Sequence, residues 1–260
     1  MGALLTDRLP GGAQPVLQAR TGRAAVGGDA FDSGMWPLHR EAHLGPGAPW
    51  RQDPAVMVLA PLSAEDSAHV PFVIDATALA GPVGRIVVTI DYSPFSKALT
   101  FHPGRALPFL GFGVKYETAG ALRASVQAGP DQIWHVGAAY VSALGGGCSA
   151  PAVSHARPDW QRGFGEMRAR LWPDSGRLRL CIRHPQDTGL ADGIPAHHLT
   201  SLALHDAQGA EIARLDLHEP VEENPSFTFL LPPHLAAEPV TLHAQDTMGN
   251  RLSGRVEPST

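Results

Sequence analysis

The chain has 260 residues, enough for one large or two ordinary domains, and its 43% hydrophobic and 17% charged residues are the composition of a folded protein. A formal charge of −5 with no basic run excludes a nucleic-acid partner, and no apolar stretch approaches the roughly 18 residues of a membrane-inserting helix. Two cysteines are too few for a disulfide-built scaffold.

In chain order, residues 1–30 are rich in Gly, Ala and Arg without a sustained period and read as a disordered or processed leader. Its one early apolar cluster, Ala3 to Leu5, is far short of the roughly 7–15 residues of a secretory signal core. A cytoplasmic chain, a removed signal and a signal lying upstream all stay open. Phe31, Met35, Leu38 and Ala42 recur at helical spacing, which predicts a short helix before the Gly45-Pro46-Gly47 stop.

From Val56 the pattern becomes that of strands. Runs at 56–60, 70–75, 85–92, 98–102, 109–116, 121–128 and 132–140 are rich in β-branched and aromatic residues, with Gly/Pro punctuation between them. Ile86, Val88 and Ile90 share one face by alternation. About seven strands at this spacing predict a β-sandwich over 31–144, with the helical segment at its start. Residues 145–163 are Gly-rich, then polar, and read as a flexible arm and linker. A second strand set at 167–172, 178–183, 199–205, 211–217, 226–231, 240–245 and 252–256 predicts another sandwich over 164–260. The fold class is therefore all-β: two immunoglobulin-like sandwiches joined by a Gly-rich linker.

Cys148 is the residue that stands out chemically. Gly145, Gly146 and Gly147 before it and Ser149 after it give a slim backbone, on which a thiol is expected to be exposed and reactive. Cys181 shares a strand face with Arg177, Arg179 and Arg183, opposite Leu178, Leu180 and Ile182. It is a candidate secondary thiol on a basic face that continues through Arg168 and Arg170, and this face is expected to pack against the first domain through Trp172, the alternative being that it binds an anionic cargo presented by Cys148. The linker is also long enough for a Cys148–Cys181 disulfide. The 13 His residues show no HExxH, CxxC or compact carboxylate spacing, and His197 and His198 point to opposite faces of a strand, so no metal site is expected. Gly-x-Ser-x-Gly is absent, and Gly111-Phe112-Gly113 lacks the rest of a nucleotide loop. Neither a catalytic residue nor a cofactor is predicted, and the chain does not read as an enzyme.

His184-Pro185-Gln186-Asp187-Thr188-Gly189, followed by Ile194-Pro195-Ala196-His197-His198-Leu199, resembles the signature of SoxZ, one subunit of the bacterial sulfur-oxidation carrier. Asn224-Pro225-Ser226-Phe227 resembles a later strand of the same family, and Val141 to Cys148 is similar to the carrier arm that ends SoxY. The order is that of fused SoxYZ-like carriers associated with quinoprotein dehydrogenases, although Ser149-Ala150-Pro151 replaces the glycines after the cysteine. The resemblance implies a periplasmic, non-catalytic carrier. Cys148 would hold a sulfur cargo, such as a thiosulfate-derived group or a persulfide, and offer it to sulfur-oxidation or quinoprotein dehydrogenase enzymes. Two other readings stay open: an interaction module of a dehydrogenase in which Cys148 is incidental, and a redox or metal-handling protein using Cys148 and Cys181.

Overall fold

The computed structural model describes residues 17–18, 31–130, 132–156 and 158–259. Apart from Leu17 and Gln18, the leader predicted over 1–30 lies outside the described residues. The first half contains β1 (Leu17–Gln18), α1 (Trp36–Leu44), β2 (Trp50–Gln52), β3 (Met57–Pro61), β4 (Val70–Asp75) and β5 (Val83–Ile90). It continues with β6 (Lys97–His102), β7 (Phe109–Val114), β8 (Gly120–Ala128) and β9 (Ile133–Val141). The second half contains β10 (Met167–Trp172), β11 (Arg177–Ile182), β12 (Leu199–His205), β13 (Glu211–Leu217) and β14 (Ser226–Leu230). The short α2 (Pro233–Ala236) precedes β15 (Val240–Asp246) and β16 (Arg251–Val256). No helix among the described residues is long and apolar enough to cross a membrane.

α1 is shorter than its periodicity predicts. Asp32 and Gly34 have φ of 50° and 71°, which keeps the chain out of a right-handed helix until Met35, and Pro37 then sits in the first turn, where its missing N–H costs nothing. The helix covers the outer face of β5: Trp36 and Leu44 pack with Val87, Trp134 and Val136. β5 is consequently buried on both sides, with Ile86, Val88 and Ile90 facing the main core as their alternation predicts. Beneath the helix the buried Arg123 and Asp91 form an ion pair, and His39 Nδ1 lies 3.5 Å from the same carboxylate.

The two strand sets are not separated by their linker. One sheet runs β1-β3-β4-β7-β14-β11-β10 and the other β16-β15-β12-β13-β6-β5-β8-β9-β2, so each half contributes to both. The halves join edge to edge, with Leu99 opposite Leu217 and His102 opposite Arg214 in one sheet, and Leu110 opposite Phe229 in the other. Between the sheets lies one continuous core that spans both halves. At the seam Phe101 and Phe229 meet across that core edge to face, with ring centroids 5.8 Å apart.

Because the seam is made of paired strands and a shared core, the halves are expected to unfold together. Phe229→Ala should cost about 3–5 kcal/mol, the usual effect of emptying a buried aromatic site. Urea unfolding followed at Trp134 and at Trp172 in separate single-tryptophan variants should give one coincident transition that Phe229→Ala moves to lower urea. Two separate midpoints would show that the halves are independent.

Candidate functional site

β9 runs out at Val141, and the chain then turns across the seam. Residues 145–150 lie against the stretch that leaves β7, Lys115 to Glu117. Gly147 N donates to Tyr116 O at 2.9 Å, Gly146 N to Glu117 O at 3.3 Å, and Ala150 N closes a turn on Gly146 O at 3.0 Å. The Glu117 carboxylate is the strongest tie. Its Oε2 accepts from Cys148 N at 3.0 Å and Ser149 N at 3.1 Å, and its Oε1 accepts from Ser149 Oγ at 3.0 Å. Bonds from neutral donors to an ionised acceptor are the stronger kind.

The arm glycines do more than loosen the chain. Gly145 has φ 99°, and a Cβ there would lie 2.4 Å from Glu117 O. A Cβ at Gly147 would lie 2.1 Å from Ser67 O and 2.7 Å from Tyr116 O. These two residues must be glycine for the arm to lie down at all.

This arrangement corrects the expected exposure of the Cys148 thiol. Cys148 is 0% exposed, and its Sγ donates to Lys115 O at 3.7 Å. Burial, reinforced by the negative charge of Glu117, pushes the thiol up to about 12; Lys115 and the Ser93 hydroxyl pull weakly the other way. At pH 7 the docked thiol is held protonated far more firmly than an ordinary cysteine. The docked thiol is therefore chemically quiet. Cys148 and Cys181 are both free, so the disulfide alternative does not describe this structure.

The second half closes the arm from the other side. Thr188 Oγ1 donates to Cys148 O at 2.6 Å, and Glu223 accepts from Val153 N at 2.7 Å and Ser154 N at 3.0 Å. His155 pairs with the buried Asp187 at 2.7 Å. The ammonium of buried Lys115 donates to Gln186 O at 2.5 Å. Burial lowers its affinity for the proton, against the pull of Asp187, Cys148 and Glu223. The segment 184–188 thus touches the Cys148 arm itself and does not merely set turns.

Behind that segment lies a cluster the sequence did not reveal. Asp246 Oδ2 accepts from His197 Nε2 at 2.9 Å, His184 Nε2 at 3.3 Å and Asn250 Nδ2 at 2.8 Å. Burial opposes ionisation of Asp246, but these bonds outweigh it and hold the carboxyl at about 2. Burial likewise pushes His184 down to about 4. His184 Nδ1 accepts from Gln186 N at 3.2 Å, so its Nε2 carries the proton that is aimed at Asp246. A cation in the cluster would need that nitrogen's lone pair. His184, His197 and Asp246 bring potential ligand atoms within 4.8 Å of one another, a grouping the sequence expectation of no metal site missed, and with Nε2–H donating they brace the 184–188 segment.

Cys181 is where the alternation predicts it, half-buried on the outer face of β11, across from Arg168 on β10 and Ser226 on β14. The expectation that this face packs on the first domain is corrected. β10 is the edge strand at the far end of its sheet, and Arg168, Arg170 and Arg179 are exposed. Trp172 is occupied by the Arg177 and Arg170 guanidinium groups, 4.1 and 4.8 Å from its ring centre. Arg183 lies just beyond β11, beside a cavity on the same side of the sheet.

Residues 40–148 match the family described as "Sulfur oxidation protein SoxY", and the matched segment ends on Cys148. Among solved structures, the sulfur carrier protein SoxY from Chlorobium limicola f thiosulfatophilum is similar at 18% identity and a TM-score of 0.37, covering 44% of this chain and 99% of that one. No curated protein matches.

The two thiols should react in the order opposite to the one their flanking residues predict. Timed alkylation with peptide mapping should label Cys181 at least about tenfold faster than Cys148, since the thiolate is the nucleophile and Cys148 must first leave its pocket. Glu117→Gln removes the charge from three arm bonds and should raise the Cys148 rate by about tenfold or more. Equal rates in the unmodified protein would show that the arm is not docked.

Proposed function

We propose that the chain is a non-catalytic sulfur carrier in which Cys148 is the loading residue and the glycine-jointed segment around it alternates between a docked, protected state and a released, reactive one. The observation that carries this reading is the position of Cys148. It ends the segment that matches the SoxY family, and it sits in a turn tied down almost entirely by backbone donors and one carboxylate. Such ties can be undone without unpacking the core.

The chemistry needs little from the protein beyond access. Once released, the thiol returns to an ordinary acidity, and its thiolate attacks an electrophilic sulfur while the donor's leaving group departs. Sγ has no exposed surface when docked, so loading requires release, and a loaded cysteine no longer fits beneath the arm. A partner enzyme would later cleave the cargo.

In this reading residues 31–144 act as a SoxY-like part and residues 164–260 as a SoxZ-like part, with 145–163 as arm and linker. The support for the second assignment is that the 184–188 segment touches the Cys148 carbonyl and Lys115. A periplasmic setting, and sulfur-oxidation or quinoprotein dehydrogenase partners, belong to the same proposal.

Incubating reduced protein with tetrathionate tests it. Cys148 should displace thiosulfate from the reagent and retain a thiosulfonate group, seen as a mass gain that maps to Cys148. Loading should be faster in Glu117→Gln and absent from that site in Cys148→Ser. Failure to load Cys148 even in Glu117→Gln, while Cys181 reacts, would refute the carrier assignment.

A further inference from the structure

A cavity of about 390 Å³ opens beside β11, away from Cys148. One wall is the linker, with Trp160 and Phe164; the other is the second half, with Cys181, Arg168, Arg183 and His184. The aromatic wall is braced: Trp160 meets His155 edge to face at 4.8 Å, and Phe164 packs on His184 at 5.2 Å and His197 at 5.5 Å. The Cys181 thiol lines the cavity and donates to Asn224 O at 3.4 Å.

The lining carries two carboxylates and two guanidinium groups, and they are not all paired with one another. Glu223 is occupied by the Val153 and Ser154 amides, and Glu166 by Arg168 Nε at 2.9 Å. Arg183 has no ion-pair partner within 4.0 Å among the described residues, and Ser154 Oγ, buried in the linker wall, has no hydrogen-bond partner. A guanidinium with no ion-pair partner within 4.0 Å among the described residues, two ring faces and a thiol line one space. Arginine matches planar carboxylates and related anions in fork geometry, and the rings favour an apolar or aromatic body.

We propose that this cavity is a second binding site, distinct from the Cys148 arm, for a small organic disulfide that carries an anionic group, with Cys181 as the residue that exchanges with it. The anionic group lies on Arg183 and the apolar part against Trp160 and Phe164. The Cys181 thiolate attacks one sulfur, the ligand's S–S bond breaks, and a Cys181–S–S–R bond forms. One equivalent of RS⁻ leaves and takes up the proton that Cys181 gave up. The disulfide is the oxidant, and no other reactant is needed.

The test uses the full chain carrying Cys148→Ser, with dianionic dithiobis(nitrobenzoate) and neutral dithiodipyridine as probes. Each rate is normalised to that of the same reagent with N-acetylcysteine. The anionic reagent should react about tenfold faster than the neutral one on this scale and should saturate with concentration, as binding before reaction requires. Arg183→Gln should abolish both the preference and the saturation, with an unchanged circular dichroism spectrum and melting curve verifying the fold. Arg170→Gln, on the same basic face but outside the cavity, should leave the preference intact. A linear, unselective rate would overturn the proposal by reducing Cys181 to an exposed thiol. An equal loss in Arg170→Gln would overturn it in favour of a general field of the arginine face.

Discussion

The Glu117 carboxylate, which leaves β7 and grips the backbone of residues 148 and 149, is the constraint on which the rest of the site depends. It lies three residues beyond the end of β7, and its three acceptor bonds reach the arm without any side chain of the arm but Ser149. Its charge has a second effect, since it adds to burial in keeping the Cys148 proton in place. The same group therefore holds the arm down and keeps the thiol unreactive while it is down. Neutralising or removing it loosens both at once.

That grip would have nothing to close against without the seam between the halves. β6 pairs with β13 and β7 with β14, and these ladders bring the 184–188 segment to within bonding distance of Cys148 and Lys115. Asp246, with His184 and His197, braces the segment from behind. The linker that follows the arm is used again as the aromatic wall of the Cys181 cavity. One crossing of the chain thus builds two thiol environments, one closed beneath the arm and the other open to a cavity.

Much of the fold could be read from the sequence because the signals were local. The alternation of Leu178, Leu180 and Ile182 against Arg177, Arg179 and Cys181 is borne out by their burial, and the helix stop at Gly45 is where the pattern places it. The pairing of β6 with β13 was not legible, because each is an ordinary alternating strand whose partner lies more than a hundred residues away. The same holds for the brace, since His184 and Asp246 are 62 positions apart. The glycines before Cys148 were legible, but only part of what they do was. Freedom of the backbone was evident from composition; the close approach of Gly145 and Gly147 to other carbonyls, which buries the thiol, was not. β2 escaped notice because three residues carry no period.

Amide hydrogen exchange across residues 146–150 tests the docked arm most directly, because each of these five amides donates a bond in the docked state and the first four lose theirs on release. The account predicts protection of all five in the reduced protein, with opening energies well below those of Val87 and Val88 in β5, as local release requires. In Glu117→Gln the protection of Cys148 and Ser149 should fall by about tenfold or more while β5 is unchanged. Amides that exchange at unprotected rates in the reduced protein, or that stay as protected as β5 in the variant, would contradict it.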